Sequence, residues 1–212
     1  RCGARHQSTK PRGEMESGEG QSLRAASDAD LLEASARRDQ RAFAAIVARH
    51  HAPVYRLAWR LLNGNADAED VAQEAFVKLW LNPAQVRDAK ALRGWLMRVA
   101  ANLATDRLRR KSHADLDAIG EVADTGKRAD GELAERAATR RVDEGIAKLP
   151  ERQKLAVTLV YFENMTNIAA AAVMDISVEA VESLLARARR SLKENLADDW
   201  RGIIEELALA AR

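Results

Sequence analysis

Asp70, Gln73 and Glu74 share one side of the segment from Asp67 to Trp80, while Val71, Ala75, Phe76 and Leu79 recur at helical spacing on the other. Folded as a helix, the segment buries its apolar set and presents its acidic one, with Asp67 placed to cap the first turn. A polar face without an internal partner needs either water or another protein. Just downstream the sign reverses. Between residues 87 and 111, Arg87, Lys90, Arg93, Arg98, Arg107, Arg109, Arg110 and Lys111 are set against only Asp88 and Asp106. Two neighbouring helices of opposite charge imply two different partners.

The elements that must position these residues are all helical. Leu31 and Leu32, then Phe43, Ile46, Val47, Val54, Leu57, Ala58 and Leu61, follow helical periodicity up to a turn at Asn63-Gly64-Asn65. Asn82-Pro83 stops the acidic helix. After a short polar loop, Leu92, Leu96, Val99, Ala100, Leu103 and Leu108 mark the basic one. Residues 112–138 turn acidic and poor in large apolar side chains, the composition of a flexible tether. From residue 139 the helical pattern resumes, with Leu149-Pro150-Glu151-Arg152 opening a helix. No strand-like alternation is evident. The expectation is an all-α chain of two small helical domains, 27–111 and 139–194, joined by an acidic linker, preceded by a disordered leader (1–26) and followed by an amphipathic tail helix (195–212).

In the second domain Thr166 is placed to cap a short helix over Asn167 to Val173, and Met174-Asp175-Ile176-Ser177 makes a tight turn with Asp175 suited to left-handed backbone. Val178, Val181, Leu185, Ala188 and Leu192 then step by three and four, leaving Ser177, Glu179, Glu182, Ser183, Arg187 and Arg190 outward. That is a helix-turn-helix whose second helix can enter a major groove. An ordinary hairpin with a solvated charged face has the same periodicity.

Composition bounds the compartment. Net charge is only +2, so the basic segment is a local asymmetry. The single cysteine, Cys2, excludes an internal disulfide framework and fits a reducing cytoplasm. No apolar run approaches the roughly 18 residues of a membrane span, and residues 1–24 are too polar for a signal peptide. His50-His51 point about 100° apart on a helix with no further ligand nearby in sequence, so no metal is expected. No phosphate loop, nucleophile elbow or paired-carboxylate motif appears, and neither a catalytic site nor a cofactor is expected.

These residues resemble a family: the extracytoplasmic-function (group IV) branch of the bacterial sigma-70 RNA polymerase sigma factors. Asp67-Ala68-Glu69-Asp70-Val71-Ala72-Gln73-Glu74-Ala75-Phe76 looks like its region 2.2. Trp95-Leu96-Met97-Arg98-Val99-Ala100-Ala101-Asn102 with Asp106 and Arg107 looks like regions 2.3 and 2.4, and Leu149-Pro150-Glu151-Arg152-Gln153 opens region 4. The resemblance implies an alternative sigma factor of the bacterial stress response that joins core RNA polymerase, recognises a bipartite promoter and promotes DNA melting. Its implied partners are the β′ clamp helices and β subunit of the core, promoter DNA and an anti-sigma factor that holds the two domains together.

Carried over by position, core binding falls to Asp67, Asp70, Gln73 and Glu74. Minus-ten binding falls to Lys90, Arg93, Arg98, Asn102, Asp106, Arg107 and Arg110, with the Asn82–Ala91 loop as a pocket wall for a flipped base. Minus-thirty-five binding falls to Ser177, Glu179, Glu182, Ser183, Arg187 and Arg190. Trp95 suits a stacking platform or the core. The chain departs from many relatives at Glu182 and Leu184, where they carry cations, at Ala169-Ala170, where they carry Glu-Ile, and at Asn164 and Asp175, where they carry glycine. A recognition helix less basic near its start predicts weaker, less salt-sensitive DNA contact. The alternatives are a stand-alone helix-turn-helix regulator, which needs no polymerase dock, and a helical adaptor, which needs no basic DNA face.

Overall fold

The computed structural model describes residues 25–86, 88–117 and 142–210, with side chains as far as 111 and again over 142–194. Residues 1–24 of the expected leader and most of the expected linker lie outside the described residues, as do the side chains of the tail.

Helix α1, Asp28–Ala36, opens on a complete capping box: Ser27 Oγ accepts from the Asp30 N–H while the Asp30 carboxylate accepts from the Ser27 N–H. Helix α2, Gln40–Leu61, is capped by Asp39, which accepts from the N–H groups of Arg41 and Ala42. Helix α3 is Asp67–Leu81, and two 3₁₀ turns, Pro83–Gln85 and Ala89–Ala91, lead into helix α4, Leu92–Asp117. α2 is the hub of this first unit. Ile46, Val54, Leu57 and Leu61 from α2 bury against Leu31 of α1, Val71 and Leu79 of α3, and Leu92, Leu96 and Met97 of α4. Trp95 is half-buried and packs on this core.

α4 runs on through residues 112–117, which their acidic composition suggests for the linker. Neither proline nor glycine falls there to stop it. The second unit begins with a short helical stretch at 142–147, then helix α5, Glu151–Val157, which widens into a π turn over Thr158–Phe162. Helix α6 is Asn167–Met174 and helix α7 is Val178–Ala210. Thr166 caps α6 through the Ala169 N–H, and Asp175 ends it in left-handed backbone at φ 55°, ψ 50°. The tail helix expected after Asn195 is a continuation of α7, because nothing in Asn195-Leu196-Ala197-Asp198 breaks the helical ladder. All described regular elements are helical, and none is long and apolar enough to cross a membrane. The two units touch: α4 packs on α6, and α2 on α5 and the π turn.

Candidate functional site

The acidic face sits on α3, which is held by the burial of Ala68, Val71, Ala72, Ala75, Phe76 and Leu79. Asp67 does not cap this helix. It occupies the first helical position behind Ala66, and its N–H is taken by Asn65 Oδ1 at 3.0 Å, so the capping oxygen comes two residues earlier than expected. Asp70 and Gln73 are exposed and make no side-chain bond. Glu74 lies between Lys78 and Arg107, each 3.5 Å away. Gln73 also borders an open groove of about 630 Å³ between α2 and α3, lined by Phe43, Val47, His51, Phe76 and Trp80. Contacts join its apolar wall: the Phe43 and Trp80 ring centres are 4.8 Å apart, and Arg38 lies over Trp80 while donating to the Trp80 carbonyl.

The two histidines part company there. His51 points to the groove and Glu69, 3.1 Å away, whereas His50 is buried against Asp28 at 2.9 Å. Burial holds the His50 pKa below its ordinary value, against the opposing pull of Asp28.

The basic helix α4 does not present its candidate residues as one surface. Asn102 and Arg110 are exposed, as is Lys90 on the preceding turn. Asp106 pairs with Arg109 at 2.9 Å. Arg107 turns back to α3, donating to the Asp67 carbonyl at 3.2 Å and approaching Glu74. It ties the acidic helix to the basic one and has fewer donors left for phosphate. Arg93 and Arg98 point at the second unit. Arg93 donates to the Glu163 carbonyl at 2.6 Å, and Arg98 donates to the carbonyls of Ala172 and Val173.

On α7, Glu179, Glu182, Ser183, Arg187 and Arg190 are all exposed, opposite the buried Val181, Leu185 and Ala188. Ser177 is partly committed: its Oγ accepts from the Ala180 N–H as the helix cap, and the Glu179 carboxyl is held below the ordinary range first by the Glu179 backbone N–H and then by the Ser177 hydroxyl. Glu182 receives a long bond from Asn167 at 3.4 Å.

Several residues between the two units escaped the reading of motifs. Glu163, 1% exposed, follows the π turn and takes Arg56 Nε and Nη2 at 3.0 and 2.9 Å. Arg60 lies over the Phe162 ring, 3.8 Å from its centre, and burial lowers its pKa. Lys154 reaches Asn63 Oδ1 at 2.6 Å. The available signal was a lone carboxylate closing the apolar run Leu159-Val160-Tyr161-Phe162, which is where a buried charge demands a partner.

Two family descriptions match the chain in order: sigma-70 region 2 over residues 46–114 and sigma-70 region 4 over residues 139–192. Among curated proteins the chain is similar to the ECF RNA polymerase sigma factor SigW of Bacillus subtilis, 33% identical over 172 residues that cover 76% of this chain and 91% of the relative. It is also similar to the RNA polymerase sigma-H factor of Pseudomonas aeruginosa, 34% identical over 80% of this chain and 93% of the relative. Among solved structures, CnrH in complex with the cytosolic domain of CnrY superposes with a TM-score of 0.62 at 29% identity, covering 81% of this chain and 98% of that one. With the acidic helix, the basic helix and the helix-turn-helix in matching order, the chain belongs to the extracytoplasmic-function family of sigma-70 RNA polymerase sigma factors.

Proposed function

We propose that this alternative sigma factor docks on the β′ clamp helices of core RNA polymerase through the α3 face of Asp67, Asp70, Gln73 and Glu74, and reads its promoter with α4 and α7. The observation that carries the reading is the side-chain state of α3: Asp70 and Gln73 are fully presented, unbonded, on a helix whose other face is closed into the core. In a protein that acts by joining another, such a face is the docking face. Glu74 and Asp67 contribute at its edge, where Arg107 limits their freedom.

Lys90, Asn102 and Arg110 take the minus-ten strand directly, with Arg93, Arg98 and Arg107 joining once their intramolecular partners let go; Asp106 orients Arg109. Glu179, Glu182, Ser183, Arg187 and Arg190, with Ser177 at the helix start, face the minus-thirty-five groove. The β subunit is the further contact on the core. The protein works in the cytoplasm, belongs to group IV, uses no cofactor and catalyses no covalent step itself. Its regulator is an anti-sigma factor; the similar CnrH was solved with a second chain, the cytosolic domain of CnrY.

Run-off transcription with core polymerase on a library of promoter fragments tests this. The native chain initiates from a defined subset, and Asp70→Ala/Gln73→Ala, which leaves the core packing untouched, lowers initiation about tenfold or more, the weight of one or two lost interface contacts. Tight DNA binding without any effect on core polymerase would put a stand-alone helix-turn-helix regulator in its place.

A further inference from the structure

Arg107 of α4 is held by two acceptors, and both belong to residues of the docking face on α3. Its Nη1 donates to the Asp67 carbonyl at 3.2 Å, and its Nη2 approaches Glu74 Oε2 at 3.5 Å. The other oxygen of that carboxylate, Oε1, lies 3.5 Å from Lys78 Nζ. Glu74 is thus shared between one cation of its own helix and one of the helix assigned to DNA. Neither pair is tight. Charge-assisted bonds of this kind close to about 2.7–2.9 Å, and with the Glu74 side chain 41% and the Arg107 side chain 27% exposed, water screens the pair further. A cation brought by a partner can take Oε2 at little cost, while Lys78 keeps Oε1.

We propose that Glu74 and Arg107 form a switch between the two faces of the first unit: a cationic side chain of the polymerase helix that docks on α3 displaces Arg107 from Glu74, and the freed guanidinium takes a backbone phosphate of the single strand. The proposal rests on the docking reading of α3 and the promoter reading of α4. Arg110, exposed and one turn further along α4, marks the side to which the freed Arg107 swings. All of its N–H donors are then open to phosphate. A third cation arriving at a carboxylate that already holds two is repelled by them, so the incoming one and Arg107 exclude each other. The exchange is therefore reciprocal: whatever holds Arg107 on phosphate favours the docked state by the same factor. The free chain keeps one phosphate contact in reserve and gains it on joining the core.

The test is a pair of double-mutant cycles on the full chain, using Glu74→Gln, Arg107→Gln and the two together. The first reads the affinity of the free chain for a labelled oligothymidylate, which presents backbone phosphates without a promoter sequence. Glu74→Gln is expected to tighten this binding about three- to fivefold and to steepen the slope of log affinity against log salt by about 0.7, the mark of one added phosphate contact on a single strand. In the Arg107→Gln background the same change leaves the slope alone and yields only the smaller gain due to one lost negative charge. The second cycle reads affinity for core polymerase without DNA. Arg107→Gln, though it removes a promoter residue, is expected to tighten docking by about the same factor, because the incoming cation has lost its competitor. That gain disappears beside Glu74→Gln. Loss of a merely structural tie would not strengthen both interactions.

Equal gains with and without the partner residue, in either cycle, would overturn the switch. So would a Glu74→Gln chain that binds oligothymidylate at an unchanged salt slope, whether or not Arg107→Gln folds. Asp70→Ala/Gln73→Ala and Lys90→Ala/Arg110→Ala separate the switch from the readings beneath it. If the first weakens core binding and the second weakens initiation while the cycles are additive, the switch alone falls. Native core binding by the first overturns the docking reading, native initiation by the second overturns the promoter reading of α4, and either takes the switch with it.

Discussion

Lys154 of α5 donates through Nζ to Oδ1 of Asn63 at 2.6 Å, joining a buried ammonium of the second unit to a left-handed residue, φ 54°, that ends α2 in the first. A buried lysine given one neutral partner is held at a cost, and its burial pulls the pKa below the ordinary lysine value, with Glu151 opposing. The unfolded chain therefore binds this proton more tightly than the folded one.

Stability consequently rises with pH from the lowered folded value up to the unfolded value of about 10.4. Melting temperatures of the native chain and Lys154→Met, compared at neutral and mildly alkaline pH, are expected to show that rise only in the native chain. At neutral pH Lys154→Met matches or exceeds the native stability by about 1 kcal/mol, since an apolar side chain of similar length fills the site and the exposed Asn63 amide returns to water. A large loss on substitution would mean the Asn63 bond outweighs the desolvation.

His50 works in the acid range. Its folded pKa lies below the unfolded value of about 6.5, so its contribution is intact above that value and is lost as pH falls from there towards the folded one. The facing groups are Asp28, which resists the loss, and Arg49 and Arg93, which deepen it. Urea midpoints are expected to fall on acidification with a slope of at most about 1.4 kcal/mol per pH unit from this group. His50→Gln removes that part of the slope.

Gly64→Ala tests the turn between α2 and α3. Gly64 sits at φ +82°, and an added Cβ would stand 3.2 Å from the Trp59 ring. Backbone strain and the displaced indole together cost about 1–2 kcal/mol, read as a lower denaturation midpoint. An unchanged midpoint would mean the turn re-forms in another conformation.

Glu182→Lys puts a cation on the exposed face of α7. Glu182 is exposed and held only by the long Asn167 bond, so the fold is indifferent to the change. Binding to promoter duplex is expected to tighten, and the slope of log affinity against log salt to steepen by about one, the signature of an added phosphate contact. Tighter binding with an unchanged slope would assign the position to a base edge instead.

Local features of the fold were legible because they are written locally. The cap at Thr166, the left-handed Asp175, the buried stripe Val71–Ala75–Phe76–Leu79 and the outward set on α7 each follow from spacing or from one residue's backbone preference. Periodicity names the face a residue occupies and says nothing of what covers it. Arg56 and Glu163 are 107 positions apart, so their pairing leaves no trace in any helical window. For the same reason Arg93, Arg98 and Arg107 read as a row of free cations, although each has an intramolecular acceptor. The end of α7 was misplaced for a different cause. Asn195 and Asp198 are weak helix formers, yet weak propensity does not stop a helix already propagating.

α7 is a single rod of 33 residues, about 50 Å at 1.5 Å per residue. Its first turns carry the exposed stripe of Glu179, Glu182, Ser183, Arg187 and Arg190, and its last turns extend well past the helix-turn-helix that anchors it. A rod transmits rotation along its length, so grip applied to the far end swings or twists that stripe through the lever between them. The helix thus has a handle remote from its exposed polar stripe.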